Sequence, residues 1–178
     1  PWTFYCQLGR NAHILEQLSC HIMQLSKALL NFKTPSLVPG PLCLAKYTDG
    51  SWYRGIIIDR EPNKVFFVDF GNIYVVPNDD LLPIPSDAYD VCLLPMQAVK
   101  CSLSDIPDHI PEEVTMWFQE TVLDKSLKAL VVAKDPDGRL VIELYDDSLQ
   151  INATINEKLG LLGNKSGTRK TSEALLST

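Results

Sequence analysis

Residues Ala45 to Val76 read "AKYTDGSWYRGIIIDREPNKVFFVDFGNIYVV". Short apolar runs are punctuated here by tight-turn chemistry. From Leu42 the order is "LCLAKY", the turn "TDGS", "WYRGIIID", the turn "REPN", "KVFFVDF", the turn "GN" and "IYVV", closing at "LLPIPSD" (Leu81 to Asp87). Strands this short at this spacing predict a small, strongly bent antiparallel barrel. One segment departs from the simple pattern. "KVFFVDFGN" (Lys64 to Asn72) carries apolar residues on both faces, whereas a half-buried strand alternates. Its last ring, Phe70, falls where the chain must turn.

The flanks have a different character. "WTFYCQL" (Trp2 to Leu8) reads as a short strand, followed by a helix over about 11–31. Leu15, Leu18, Ile22, Leu25 and Leu29 step by three and four along one face of that helix, with Asn11 as its expected N-cap. "KTPSLVPGP" (Lys33 to Pro41) reads as a linker. After the barrel, "LPMQAVKCSLSDI" (Leu94 to Ile106) holds a strand, and a helix begins at Pro111 with Val114, Trp117, Phe118 and Val122 on its apolar face. "LKALVVA" and "RLVIELY" form a hairpin through "KDPDG". A last short helix carries Ile155, Leu159 and Leu162, with Asn152 as its cap, and 163–178 reads as a loose tail. Neither outer piece can close a core alone, so the two are expected to pack together as one domain split by the β insert.

Composition bounds the function. The chain has 178 residues, a hydrophobic fraction of 46% and a formal net charge of −6. That charge argues against nucleic acid as partner and suits a cationic one. No window is long and apolar enough to span a membrane. The chain starts at Pro1 without a signal sequence and reads as a piece of a longer one. Its five cysteines (Cys6, Cys20, Cys43, Cys92, Cys101) show no CxxC spacing and read as reduced thiols, all but Cys20 in apolar contexts. His13, His21 and His109 have no metal-ligand spacing, and no phosphate-cradling or nucleophile-elbow motif is present. No metal or cofactor is expected.

The stretch Ala45 to Val76 resembles a Tudor domain, most specifically in "DGSWYRG" and "VDFGN". "WTFYCQL" with its helix, and "LPMQAVKCSL" with the tryptophan-bearing helix, resemble the staphylococcal-nuclease-like half of an extended Tudor domain. The resemblance covers residues 1 to about 162. It implies an α+β fold: a Tudor barrel (37–85) inserted into a split OB-type nuclease-like domain (1–36 and 86–162). It implies a role as a non-enzymatic reader of methylated, symmetrically dimethylated, arginine in Arg-Gly-rich peptides such as the tails of Piwi proteins. It further implies scaffold work in the piRNA pathway and a place in cytoplasmic germ-cell granules. Carried onto this sequence, the family's aromatic cage falls on Tyr47, Tyr53, Phe67 and Phe70, with Asn72 as its polar member.

The residue types fit that chemistry. A methylated guanidinium keeps its charge but has fewer N–H donors and more apolar surface. A slot of parallel rings offers stacking and cation–π attraction, and the Asn72 carbonyl can accept a remaining N–H. Phe66 and Trp52 are assigned to packing, Arg54 to a structural ion pair, and Asp69 to shaping its turn. The nuclease-like halves carry few arginines (Arg10 and Arg139), and "WTFYCQL" has no carboxylate, so a phosphodiester-cleaving site is not expected. Three other readings remain open: a nucleic-acid-binding OB-type module, a structural or oligomerisation module with an unused cage, and residual nuclease activity.

Overall fold

The computed structural model describes residues 3–31 and 41–173, with side chains as far as 163. The expected linker at 33–41 lies outside the described residues except for Pro41. By contact the chain forms two compact units. One is Tyr5–Lys100; the other runs from Cys101 onward and includes the chain start as far as Phe4.

The first unit holds helix α1 (Ala12–Asn31), strands β2 (Leu42–Lys46), β3 (Trp52–Arg60), β4 (Asn63–Phe67), β5 (Ile73–Val75) and β6 (Leu81–Pro83), and the short helix α2 (Tyr89–Cys92). It also takes most of strand β1 (Phe4–Cys6) and the start of β7 (Val99–Leu103). The five strands β2–β6 make one antiparallel sheet in the order β5-β4-β3-β2-β6. A register shift between Ile57 and Asp59 interrupts the β3–β4 ladder, as a bulge does where a small sheet bends.

The near-continuous apolar run of β2 has a direct cause: both its faces are buried. Cys43 and Ala45 point into a cluster with Val65, Phe67, Val76 and Leu81. Burial pushes the Cys43 thiol up to about 11, so it stays protonated. Leu44 points the other way, against Leu18 and Ile22 of α1 and Val91 of α2, with Trp52 and Leu94 packed around them. The stripe predicted on α1 is therefore the face that meets the sheet. This is also why α1 and the segment around residue 91 join the strands in one compact unit, whereas the division expected from the resemblance groups 1–36 with 86–162.

The turn after β4 is fixed from several sides. Arg54 on β3 is 2% exposed and spends all five of its N–H donors. Nε and Nη2 form a fork on Asp69 Oδ2 and Oδ1 at 2.9 and 2.6 Å. Nη1 donates to the carbonyls of Val91 and Leu94 at 2.9 and 2.6 Å, and Nη2 to that of Pro95 at 3.1 Å. Asp69 Oδ1 also accepts the Gln97 backbone N–H at 3.0 Å, and its own carbonyl accepts Gln7 Nε2 at 2.7 Å. Asn11 is the last residue of a short 3₁₀ turn that leads into α1; its amide donates to Gln97 Oε1 at 3.1 Å.

The second unit contains β7 from Cys101, helix α3 (Glu112–Val122), β8 (Lys128–Lys134), β9 (Leu140–Asp146), β10 (Leu149–Gln150) and helix α4 (Ile151–Glu173). β7 runs parallel to β9, and β8 and β10 pair antiparallel with it. Asn152 does not cap α4. Its side chain is buried and ties the start of α4 to β9 and to the turn after β7: Oδ1 accepts the Leu144 N–H, and Nδ2 donates to the carbonyls of Ser104 and Ile142. α4 also continues past Leu162, where its apolar pattern stops, so the helical backbone covers much of the expected tail.

The arrangement around Arg54 predicts an asymmetry among ion pairs. Asp69→Ala leaves a guanidinium buried without its counter-charge, and equilibrium denaturation should show a loss of about 3–5 kcal/mol. Lys125→Ala removes the exposed Lys125–Asp146 pair (3.2 Å) and should change stability by less than about 1 kcal/mol.

A candidate aromatic peptide-binding pocket

Two turns at one end of the β2–β6 sheet build the site. In the first, Tyr47 accepts the Gly50 N–H and donates its own N–H to Ser51, both at 2.9 Å, and Gly50 takes the left-handed φ of +83° that closes the hairpin. This puts Tyr47 at the end of β2 and Tyr53 near the start of β3. In the second, the Phe67 carbonyl accepts the N–H groups of Phe70 and Gly71 at 3.2 and 2.7 Å, and the Phe67 N–H donates to the Asn72 carbonyl at 2.9 Å. Gly71 has φ +91°, and a Cβ there would overlap the Cβ and Cγ of Tyr5. Only glycine fits, so the chain reverses under Tyr5 and presents Phe70 and Asn72 to solvent.

The five residues singled out in the sequence, Tyr47, Tyr53, Phe67, Phe70 and Asn72, line one concavity of about 400 Å³. Their burial is uneven. Phe67 is 2% exposed and belongs to the apolar cluster of the sheet, so it forms the floor; Phe70 is 50% exposed and forms a wall. The rings are not a stack of parallel planes. Tyr53 crosses Tyr47, Phe67 and Phe70 at 80–82°, with centroids 6.4, 6.2 and 5.1 Å apart, and Tyr47 crosses Phe67 at 77° and 5.4 Å. Edge-to-face contacts of this kind are the favoured arrangement of aromatic quadrupoles. They box a space whose walls are ring faces and edges.

Two neighbours of the pocket were not singled out from the sequence. Tyr74 on β5 places its ring 5.4 Å from Tyr47, extending the aromatic surface beyond the pocket. Asp49 lines the pocket itself. Its Oδ2 accepts the Tyr53 hydroxyl at 2.6 Å and its Oδ1 the Ser51 N–H at 2.9 Å. The Tyr53 hydroxyl, and after it the Ser51 N–H, hold the Asp49 carboxyl below its ordinary value. Burial, and then the bond to Asp49, push the Tyr53 phenol above its own. At neutral pH the pair is therefore a carboxylate and a neutral phenol. Nothing but a turn signal marked Asp49 within "TDGS".

Phe66 packs against Tyr5, 5.4 Å between centroids, and Trp52 against the α1 cluster. Among the described residues no group of three or more His, Cys, Asp or Glu side chains is placed to hold a metal ion. Arg139 is occupied by Asp135, to which its Nε donates at 2.9 Å.

Comparison with known proteins places the fold. The Tudor domain family model matches residues 1–105. Human Tudor domain-containing protein 6 is 78% identical over the whole chain, which spans 8% of that protein's length. The extended Tudor domain TD3 of mouse TDRD1, solved in complex with a MILI peptide containing dimethylarginine 45, superposes with a TM-score of 0.73 at 30% identity, covering 88% of this chain and 84% of that one. The human TDRD1 extended Tudor domain, solved with a symmetrically dimethylated peptide, has the same fold, with a TM-score of 0.75 at 24% identity over 88% of this chain and 81% of that one.

Floor and wall should separate in a stability measurement. Phe67→Ala should cost about 3–5 kcal/mol in denaturant titration, as for a buried core phenylalanine. Phe70→Ala should cost less than about 1 kcal/mol, in line with a half-exposed ring.

Proposed function

The chain belongs to the Tudor domain family, and from that premise we propose that it is a reader module for methylated arginine. The observation that carries the proposal is the convergence of Tyr47, Tyr53, Phe67, Phe70 and Asn72 on one pocket of about 400 Å³. Four rings offer apolar contact to the methyl groups and cation–π attraction to the guanidinium, of about 0.5–2 kcal/mol per contact. Asn72 is exposed at the end of the turn, and its side-chain oxygen can accept a guanidinium N–H. The bound dimethylarginine peptide of the mouse TDRD1 domain supports the same ligand class here.

The ligand is an Arg-Gly-rich peptide carrying a symmetrically dimethylated arginine, as in the tails of Piwi proteins. Glycines beside the arginine let the peptide backbone approach closely. The parent protein then works as a scaffold of the piRNA pathway in cytoplasmic germ granules. In domain terms, residues 37–85 are the Tudor barrel, and 1–36 with 86–162 the nuclease-like domain around it. The module is non-enzymatic: its pocket offers ring faces, the Asn72 amide and the Asp49 carboxylate, a set suited to holding a cation, and in the nuclease-like part Arg139 is engaged by Asp135. A net charge of −6 suits a cationic peptide better than a nucleic acid.

Calorimetric titration with one Arg-Gly peptide in unmodified, symmetric and asymmetric dimethyl forms tests the proposal. The symmetric form should bind most tightly, and equal binding of all three would contradict it. Phe70→Ala should weaken binding of the symmetric form by about 0.5–2 kcal/mol, up to about thirtyfold. Asn72→Ala should cost about 0.5–3 kcal/mol by deleting an acceptor for a charged donor.

A further inference from the structure

Of the six residues lining the aromatic pocket, Asp49 alone carries a full charge. Tyr47, Tyr53, Phe67 and Phe70 present π-systems and hydroxyls, and Asn72 a neutral amide. Ring quadrupoles attract a cation only at short range and only weakly once it is hydrated. A carboxylate at the same mouth acts over a longer distance and favours charge as such.

Asp49 is also not consumed by the fold. An ionised carboxylate has about four lone-pair sites. The Tyr53 hydroxyl and the Ser51 N–H use one each, at 2.6 and 2.9 Å, and the residue is exposed. Both bonds are local and hold the group in place at the hairpin tip. The carboxylate thus keeps capacity for an incoming donor, while its bond to Tyr53 fixes the hydroxyl end of the ring that crosses three others.

We propose that Asp49 is a specificity-determining residue of the pocket, anchoring Tyr53 and selecting a cationic side chain over a neutral one of the same shape. This rests on the pocket being the methylarginine site. It adds to that reading a longer-range charge criterion beyond the short-range cation–π attraction of the rings. Citrulline is a useful neutral probe, because it keeps a planar, hydrogen-bonding head without the positive charge; it also lacks the two methyl groups, so the reading is the change in preference between wild type and Asp49→Asn, in which the methyl contribution cancels.

The test uses Asp49→Asn, which keeps the size of the side chain and its turn-forming character but removes its charge. Affinities are measured for one Arg-Gly peptide carrying symmetric dimethylarginine, and for the same peptide with citrulline at that position. Each is titrated at low salt and at about 0.5 M salt, where the screening length falls below about 5 Å. Asp49→Asn should bind the methylarginine peptide about two- to fivefold more weakly at low salt, with the deficit shrinking at high salt. It should also narrow the preference for methylarginine over citrulline. Phe70→Ala is run alongside to test the pocket itself. If Phe70→Ala weakens binding while Asp49→Asn matches the wild type in affinity and salt dependence, the inference is overturned and the pocket assignment stands. A loss in Asp49→Asn that is equal for both peptides and at both salt concentrations makes Asp49 a purely structural turn residue, and overturns it as well. If Phe70→Ala binds like the wild type, the pocket assignment fails and the inference with it.

Discussion

The buried fork between Arg54 and Asp69 is the constraint on which the site depends. Removing two charges from water is costly, and their attraction offsets the cost only when every remaining donor and acceptor is also used. Here all five guanidinium donors are used and both carboxylate oxygens have partners. The three guanidinium donors not spent on the carboxylate take the carbonyls of Val91, Leu94 and Pro95. The carboxylate in turn takes the Gln97 N–H. One ion pair therefore holds a strand, a turn and an irregular segment in register. Asp69 immediately precedes Phe70, so fixing its side chain inward forces the next ring outward. Gly71 under Tyr5, and the Gln7 bond to the Asp69 carbonyl, clamp the same turn from outside.

The pocket divides its work between rings that hold the fold and rings that face solvent. Phe67 does both, packing into the sheet cluster on one side and closing the pocket on the other. Phe70 and Asn72 contribute little to the core, because the turn that carries them is held by its backbone, by Asp69 and by Tyr5. A wall built this way can be exposed without weakening the sheet. The perpendicular crossings about Tyr53 favour a rigid box, since each ring edge rests against a neighbouring face. A preformed box loses little conformational entropy when a flat cation enters.

The sequence was most legible where periodicity is strong. The α1 stripe, the short strand at β2 and the glycine-closed turns each follow from local pattern, and each element formed near its expected place. The pocket residues were legible as a set through family resemblance, because four rings and an amide keep a recognisable spacing. The partners of Arg54 were not. Asp69 lies in the turn after another strand, and the carbonyls at residues 91, 94 and 95 belong to a segment with no periodic signature. Backbone acceptors have no residue identity to read. Asp49 was hidden for a related reason, since an aspartate before glycine is expected in any hairpin turn. Asn152 carried a capping signal but serves buried strand carbonyls instead. The helical backbone of α4 beyond Leu162 had no apolar face to announce it.

The central claim is that one pocket, walled by the turns after β2 and β4, receives the methylated side chain. Amide chemical-shift mapping during titration with a symmetrically dimethylated Arg-Gly peptide tests it most directly. The account predicts that the largest perturbations fall on residues 47–53 and 67–72 and saturate together at one dissociation constant. Perturbations centred on β8 and β9, with residues 47–53 and 67–72 unmoved, would contradict it.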